Sequence, residues 1–118
     1  MRVQLEGQSL RLRIDEDELA RLLTGSSVDN RTSLPDGHVE MHQVSLAPRI
    51  GWQREHGVLH ICLPEDDVRA LSQRLPSRDG LAFSLSTPHG DTLTILFDVD
   101  VRDSARKRLH KGPKGETP

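Results

Sequence analysis

Aromatic residues are scarce in this chain, and cysteine pairs and long apolar runs are absent. Only 3% of the 118 residues are aromatic, namely Trp52, Phe83 and Phe97, so the core has to be built from Leu, Ile and Val. The single cysteine, Cys62, excludes an internal disulfide and a cysteine-rich zinc site. No apolar run approaches the ~18 residues of a membrane span, and nothing after Met1 resembles the apolar segment of a signal peptide. These absences favour a soluble cytoplasmic domain.

Charge is nearly balanced overall but unevenly distributed. The chain carries 16 Lys and Arg against 18 Asp and Glu, and the net charge of −2 favours neither nucleic acid nor membrane as the main partner. Residues 102–118 hold six basic and two acidic side chains, so residues 1–101 hold ten and sixteen. The apolar periodicity ends at Val101, and Leu109 is the one large apolar residue beyond it. We therefore predict one domain over 1–101 and a disordered basic tail over 102–118.

A strand–helix pattern occurs twice. Residues 10–22 and 59–71 each alternate with period two, then change to helical spacing behind three acidic residues. The apolar positions of the first copy match those of the second, and both Leu12 and Ile61 are expected in the core. The pattern predicts two equivalent strand–helix units, as in an internal pseudo-repeat.

Several residues mark where the helices begin and end. Asp15, with Glu18 three residues later, has the spacing of a capping box, and Gly25 is typical of a helix C-terminus. Pro64 is expected in the first turn of the second helix, and Pro76 is expected to end that helix. Acidic residues at a helix start complement its macrodipole, which explains both acidic clusters without invoking catalysis.

The remaining segments indicate further strands. Strands are expected around 27–33 and 38–46, with a bulge in the second, and a short strand is expected near Ile50 and Trp52. Residues 81–85 and 93–99 alternate across a turn at 88–91 and predict a hairpin. The order β-β-α-β-β-(β)-β-α-β-β predicts an α+β domain with a curved, mainly antiparallel sheet and two short helices. A partly closed barrel is the alternative.

Both ends of the domain resemble a known family. The opening Met1-Arg2-Val3-Gln4-Leu5-Glu6-Gly7-Gln8-Ser9-Leu10-Arg11-Leu12-Arg13-Ile14 and the late Leu93-Thr94-Ile95-Leu96-Phe97-Asp98-Val99-Asp100 are similar to those of the DUF7009 family of small uncharacterised bacterial proteins. The resemblance covers residues 1–25 and 58–100. In that family the last strand often continues into an aromatic residue and a cysteine, whereas Val101-Arg102-Asp103 follows here. The resemblance implies a fold and supplies no activity.

Histidines and Cys62 are the candidates for chemistry. His60 and Cys62 alternate with core residues and are expected on one strand face. There they could bind a soft metal if a third ligand came from elsewhere, or Cys62 could act as a nucleophile with His60 as its base. His38 and His42, four residues apart in an expected strand, would lie about 13 Å apart, too far to share one ion. Small packing and surface roles suit all four residues better.

No enzymatic motif accompanies these residues. Asp98-Val99-Asp100 is similar to the Asp-x-Asp of metal-dependent transferases, but the chain has no phosphate-binding loop, nucleophile elbow or zinc motif. We therefore expect a non-enzymatic domain without cofactor that binds another protein or itself. The alternative is a small metal- or thiol-dependent enzyme using His60 and Cys62.

Two regions are the expected contact sites. Trp52 is interpreted either as a core residue or as an exposed anchor on a sheet edge. Arg106, Lys107 and Arg108 lie in the basic tail and predict at most weak, non-specific binding to polyanions.

Overall fold

The computed structural model describes residues 1–77 and 79–101. They form eight strands and two helices in the predicted order. These elements are β1 Arg2–Glu6, β2 Ser9–Asp15, α1 Glu16–Leu23, β3 Val28–Ser33, β4 Val39–Ala47, β5 Gly51–Glu55, β6 Val58–Pro64, α2 Glu65–Gln73, β7 Leu81–Ser86 and β8 Thr92–Asp100. The α+β class with two short helices is confirmed. The predicted tail over 102–118 lies outside the described residues, and no helix within them is long and apolar enough to cross a membrane.

The strands form two open four-stranded sheets. Sheet A has the order β1-β2-β8-β7 and sheet B the order β3-β4-β6-β5. The central strands of each sheet are parallel, and the outer strands pair antiparallel with them. We expected one curved sheet or a partly closed barrel. The barrel alternative is wrong, because neither sheet closes on itself or on the other within the described residues.

Each sheet combines one hairpin from each half of the chain. The halves are β1-β2-α1-β3-β4 and β5-β6-α2-β7-β8. In sheet A, β2 of the first half lies beside β8 of the second, with Leu12 next to Phe97. In sheet B, β6 of the second half lies beside β4 of the first, with Ile61 next to Val44. The two halves are therefore interlocked, and each completes the other's sheet.

One apolar core connects both sheets and both helices. Alternation along β2 and β6 directs every second side chain inward, and Leu12, Ile61 and Phe97 are fully buried. The helices contribute their apolar stripes. The buried apolar residues are Leu10, Leu12, Ile14, Leu19, Leu22, Val28, Val44, Leu59, Ile61, Leu63, Val68, Leu71, Ile95, Phe97 and Val99. As predicted, Leu12 and Ile61 both lie in this core.

The two helices begin differently. The predicted capping box of α1 is present: the Glu18 N–H donates to Asp15 Oδ1 at 2.7 Å, and the Asp15 N–H donates to Glu18 Oε1 at 3.0 Å. Gly25, with a φ of +96°, ends α1 as predicted. The interpretation of Pro64 was wrong by one position. Its ψ of 122° is extended, so Pro64 is the N-cap of α2 and the last residue of β6.

Strand β4 corrects the expected bulge. Its pairing with β3 is continuous from Val28 opposite Val44 to Ser33 opposite Val39, so no extra residue is inserted. Successive side chains of a regular strand point to opposite faces. Val39 and Met41 therefore lie on one face of β4, and Val44 and Leu46 lie on the other.

Candidate functional site

An apolar cleft lies where the start of β5 meets the β7–β8 hairpin. It has a volume of about 470 Å³. One wall comes from sheet B and the other from sheet A, so the cleft lies between residues of the two sheets. Its lining residues are Ile50, Gly51, Trp52, Leu85, Ser86, Thr87, Pro88 and Leu93.

Trp52 forms the wall on sheet B. It pairs with the fully buried Ile61, so its side chain lies on the core face of the sheet. Because β5 is the outermost strand of sheet B, nothing from that sheet covers its other side, and 40% of Trp52 remains exposed. Trp52 therefore lies on a sheet edge and is only partly buried, and its role as a contact anchor stays a prediction.

The hairpin supplies the opposite wall. Leu85 and Leu93 are opposite each other on β7 and β8, and both are half-buried against the core. The turn between them is closed by the Thr87 N–H, which donates to the Asp91 carbonyl oxygen at 2.9 Å. Pro88 lies in this turn, beside the cleft. The wall is thus held by a backbone-bonded turn, which keeps its apolar side chains in place.

The corresponding place in the other half of the fold is polar. Val3 is opposite Leu12 as Trp52 is opposite Ile61, so Val3 is the counterpart of Trp52. Thr32 and Glu40 correspond in position to Leu85 and Leu93. Glu40 lies four residues before Val44 in β4, as Leu93 lies four residues before Phe97 in β8. The two halves therefore differ in polarity at the positions that supply the hairpin wall of the cleft.

His60 and Cys62 share the outer face of sheet B, as predicted. His60 is flanked by Gln43 on β4 and Gln53 on β5. The Cys62 Sγ lies 3.9 Å from the Ser45 hydroxyl oxygen, which is not a base. Among the described residues, no group of three His, Cys, Asp or Glu side chains is placed to hold a metal ion. The third ligand that a metal at His60 and Cys62 would need is therefore not supplied by the described residues.

His38 and His42, both expected in one strand, lie in different surroundings. His38 precedes the strand rather than belonging to it, and its Nε2 lies 3.1 Å from Glu40 Oε1. His42 lies beside Leu59 of β6, on the same face of β4 as the buried Val44. Its Nδ1 is buried without a hydrogen-bond partner among the described residues. The two side chains thus have different environments and form no common site.

The acidic side chains stabilise helices and strands. Glu65 forms an ion pair with Arg69 one turn later in α2, at 2.8 Å. On the outer face of sheet A, Arg13 Nε donates to Asp98 Oδ1 at 2.9 Å. This hydrogen bond, together with the attraction of the Asp98 charge, raises the pKa of Arg13. Asp98, the first carboxylate of the Asp-x-Asp tripeptide, is therefore paired with a cation.

A scan against protein-family models finds no match to this chain, and a search of curated proteins finds no significant match. The assignment of function therefore rests on the geometry of the cleft. Of its residues, the sequence pointed to Trp52 alone. Leu85 and Leu93 belong to the predicted hairpin, and alternation cannot show that the end of a strand faces a gap between two sheets. Arg106, Lys107 and Arg108 lie outside the described residues.

Proposed function

We propose that this protein is a non-enzymatic protein-binding module whose cleft receives an apolar segment of its partner. The observation that carries the proposal is the cleft between Trp52 and the hairpin residues Leu85 and Leu93. Partly exposed tryptophans at the rim of apolar pockets are typical anchors of protein interfaces. The cleft opens beside the free edge of β5, so an extended polypeptide would fit it better than a compact small molecule.

One apolar side chain of the partner would occupy the cleft and pack against Trp52. Burying a Leu-, Ile- or Phe-sized side chain contributes about 1.5–3 kcal/mol. Backbone groups on the free edge of β5 would add hydrogen bonds to the main chain of the partner. With one anchor and one strand edge, we expect affinities in the micromolar range.

A display experiment with random peptides tests this proposal. The probe is a phage library of random dodecapeptides selected on the immobilised full-length protein, and the selected peptides are then measured by fluorescence anisotropy. We expect sequences with a recurring large apolar residue, and we expect Trp52→Ala to weaken their binding at least about tenfold, equivalent to about 1.4 kcal/mol. The matched control is Val3→Ala, which shortens the counterpart of Trp52 outside the cleft. Failure to select any peptide, or equal binding by Trp52→Ala, would refute the proposal.

We also propose a cytoplasmic location and kinship with the bacterial DUF7009 family. A single unpaired cysteine supports the location, because secreted domains of this size commonly carry disulfides. The two segments that resemble the family contain the adjacent strands β2 and β8 in this fold. Fractionation of cells expressing the protein tests the location, and recovery in a membrane or secreted fraction would contradict it.

An internal duplication is the third part of this proposal. The two halves repeat the element order β-β-α-β-β, and residues 10–22 and 59–71 each form a strand that runs directly into a helix. Superposition of the backbones of residues 10–22 and 59–71 tests it. Clearly different strand-to-helix angles in the two segments would contradict a common origin.

Basic residues 102–118, including Arg106, Lys107 and Arg108, are proposed to bind polyanions weakly and without sequence preference. The support is their net charge of +4 and the absence of aromatic residues for base stacking. We expect binding of a labelled oligonucleotide at low salt that disappears by about 0.3 M salt. Deleting 103–118 should abolish it and leave the melting temperature unchanged. Salt-resistant binding, or unfolding on deletion, would contradict this role.

A further inference from the structure

Among the described residues the two open sheets have four edge strands, and β7 differs from the other three. Edge strands carry unpaired backbone groups that can pair with another chain, and charged side chains normally protect them. Three edges carry two charged residues each, namely Arg2 and Glu6 on β1, Asp29 and Arg31 on β3, and Arg54 and Glu55 on β5. Strand β7, Leu-Ala-Phe-Ser-Leu-Ser, carries none. Its outer side is unpaired within the described part of the chain.

The side chains of β7 leave room for another strand. Ala82, Ser84 and Ser86 are small, exposed and on the outer face of sheet A. Leu81, Phe83 and Leu85 are half-buried against the core, so they retain apolar surface that a neighbouring strand would cover. No Pro, Lys or bulge interrupts the strand, and its pairing with β8 is continuous over all six residues. Beyond being uncharged, β7 is therefore regular enough to extend the sheet.

The sequence of β7 is nearly symmetric about Phe83. Reading outward, Ala82 corresponds to Ser84, and Leu81 corresponds to Leu85. A twofold dimer needs a surface that is complementary to itself. Antiparallel pairing about Phe83 would place Leu81 opposite Leu85 on the core face and Ala82 opposite Ser84 on the outer face, so side chains of matched size and polarity meet.

We propose that two copies of this protein pair antiparallel through β7, in register about Phe83. The pairing joins two copies of sheet A into one eight-stranded sheet. Phe83 lies opposite the same residue of the other copy, and the half-buried leucines on either side complete an apolar row. The interface is one strand wide, smaller than that of stable complexes, so we expect a dimer that dissociates in the micromolar range.

Charge substitutions on the outer face of β7 test this proposal. Molar mass is measured by light scattering and sedimentation across the micromolar range, with circular dichroism to establish that each full-length variant is folded. The wild-type mass should double with concentration. The double variant Ala82→Lys with Ser84→Lys places two pairs of like charges opposite each other and should remain monomeric. Gln53→Lys adds a charge to the edge strand β5 and, as the control, should dimerise like wild type.

A charge reversal tests the register. The variant Ala82→Lys with Ser84→Glu places each lysine opposite a glutamate of the other copy, and it should dimerise again. A register centred on Ser84 would instead put two glutamates together and prevent pairing. The proposal is overturned if wild type remains monomeric throughout, if the double lysine variant still dimerises, or if the reversal fails to restore the dimer. Peptide binding by Trp52 is measured separately, so the cleft and the edge can fail independently.

Discussion

Gly80 is a residue whose replacement the fold cannot accommodate. It precedes β7, where the chain approaches β8 so closely that an added Cβ would overlap the Phe97 carbonyl oxygen and lie 2.8 Å from Asp98 Cβ. We expect Gly80→Ala to lower the free energy of unfolding by about 1–3 kcal/mol, because backbone has to move to relieve the contact. Urea titration measures this. Gly51→Ala is the control, since its Cβ would meet only the Cys62 side chain at 3.4 Å, and an equal loss there would contradict the explanation.

Trp52 is the single tryptophan, so its fluorescence reports directly on the cleft. With 40% of the residue exposed at a sheet edge, we expect iodide to quench its emission in the dilute protein. A selected peptide that occupies the cleft should shift the emission to the blue and protect it from iodide. Emission that is already blue-shifted and unquenched in the dilute monomer would mean that Trp52 is buried and that the cleft is closed.

Among the elements, α1 depends on its cap. The helix has eight residues, too few to be stable alone, and its first turn is held by the reciprocal bonds of Asp15 and Glu18. Asp15→Ala should lower the free energy of unfolding by about 0.5–2 kcal/mol. Asp17→Ala removes an exposed acid from the same turn without changing the cap bonds, so it should lower the free energy of unfolding less than Asp15→Ala does. Equal losses measured by thermal unfolding would show that charge, rather than the cap bonds, matters here.

The free edges of β5 and β7 have different expected roles. Trp52 on β5 is available to a partner segment, whereas the uncharged β7 is available to a second copy. The distinction follows from their side chains, because both strands have the same position in their sheets. Variants at Trp52 and at Ala82 with Ser84 should therefore affect peptide binding and self-association separately.

Across the whole molecule, the interlocked halves should unfold together. Leu12 and Ile61 come from different halves, but both are fully buried in the one core that connects the sheets. Truncating either to Ala should lower the free energy of unfolding by about 2–5 kcal/mol. Leu5→Ala is the control, because Leu5 is 69% exposed and a substitution there should change stability by no more than about 0.5 kcal/mol.

The shape of the transition provides a second measurement. Because every sheet contains strands from both halves, we expect a single cooperative transition for wild type, Leu12→Ala and Ile61→Ala. Circular dichroism and Trp52 fluorescence should report the same midpoint. Two separated transitions would mean that the halves are stable independently, contrary to the shared sheets.

The sequence by itself determined the order of the elements and much of the core. Alternation, helical spacing and the Asp15–Glu18 cap operate over a few residues, so they predicted both helices and most strands, whereas β5 was predicted only near Ile50 and Trp52 and extends to Glu55. Which strands become neighbours was decided only by the tertiary structure. Leu12 meets Phe97 from the other end of the chain, and no local pattern encodes such a pairing. The cleft at Trp52 and the free edge of β7 follow from that pairing, because both are formed where the two sheets end.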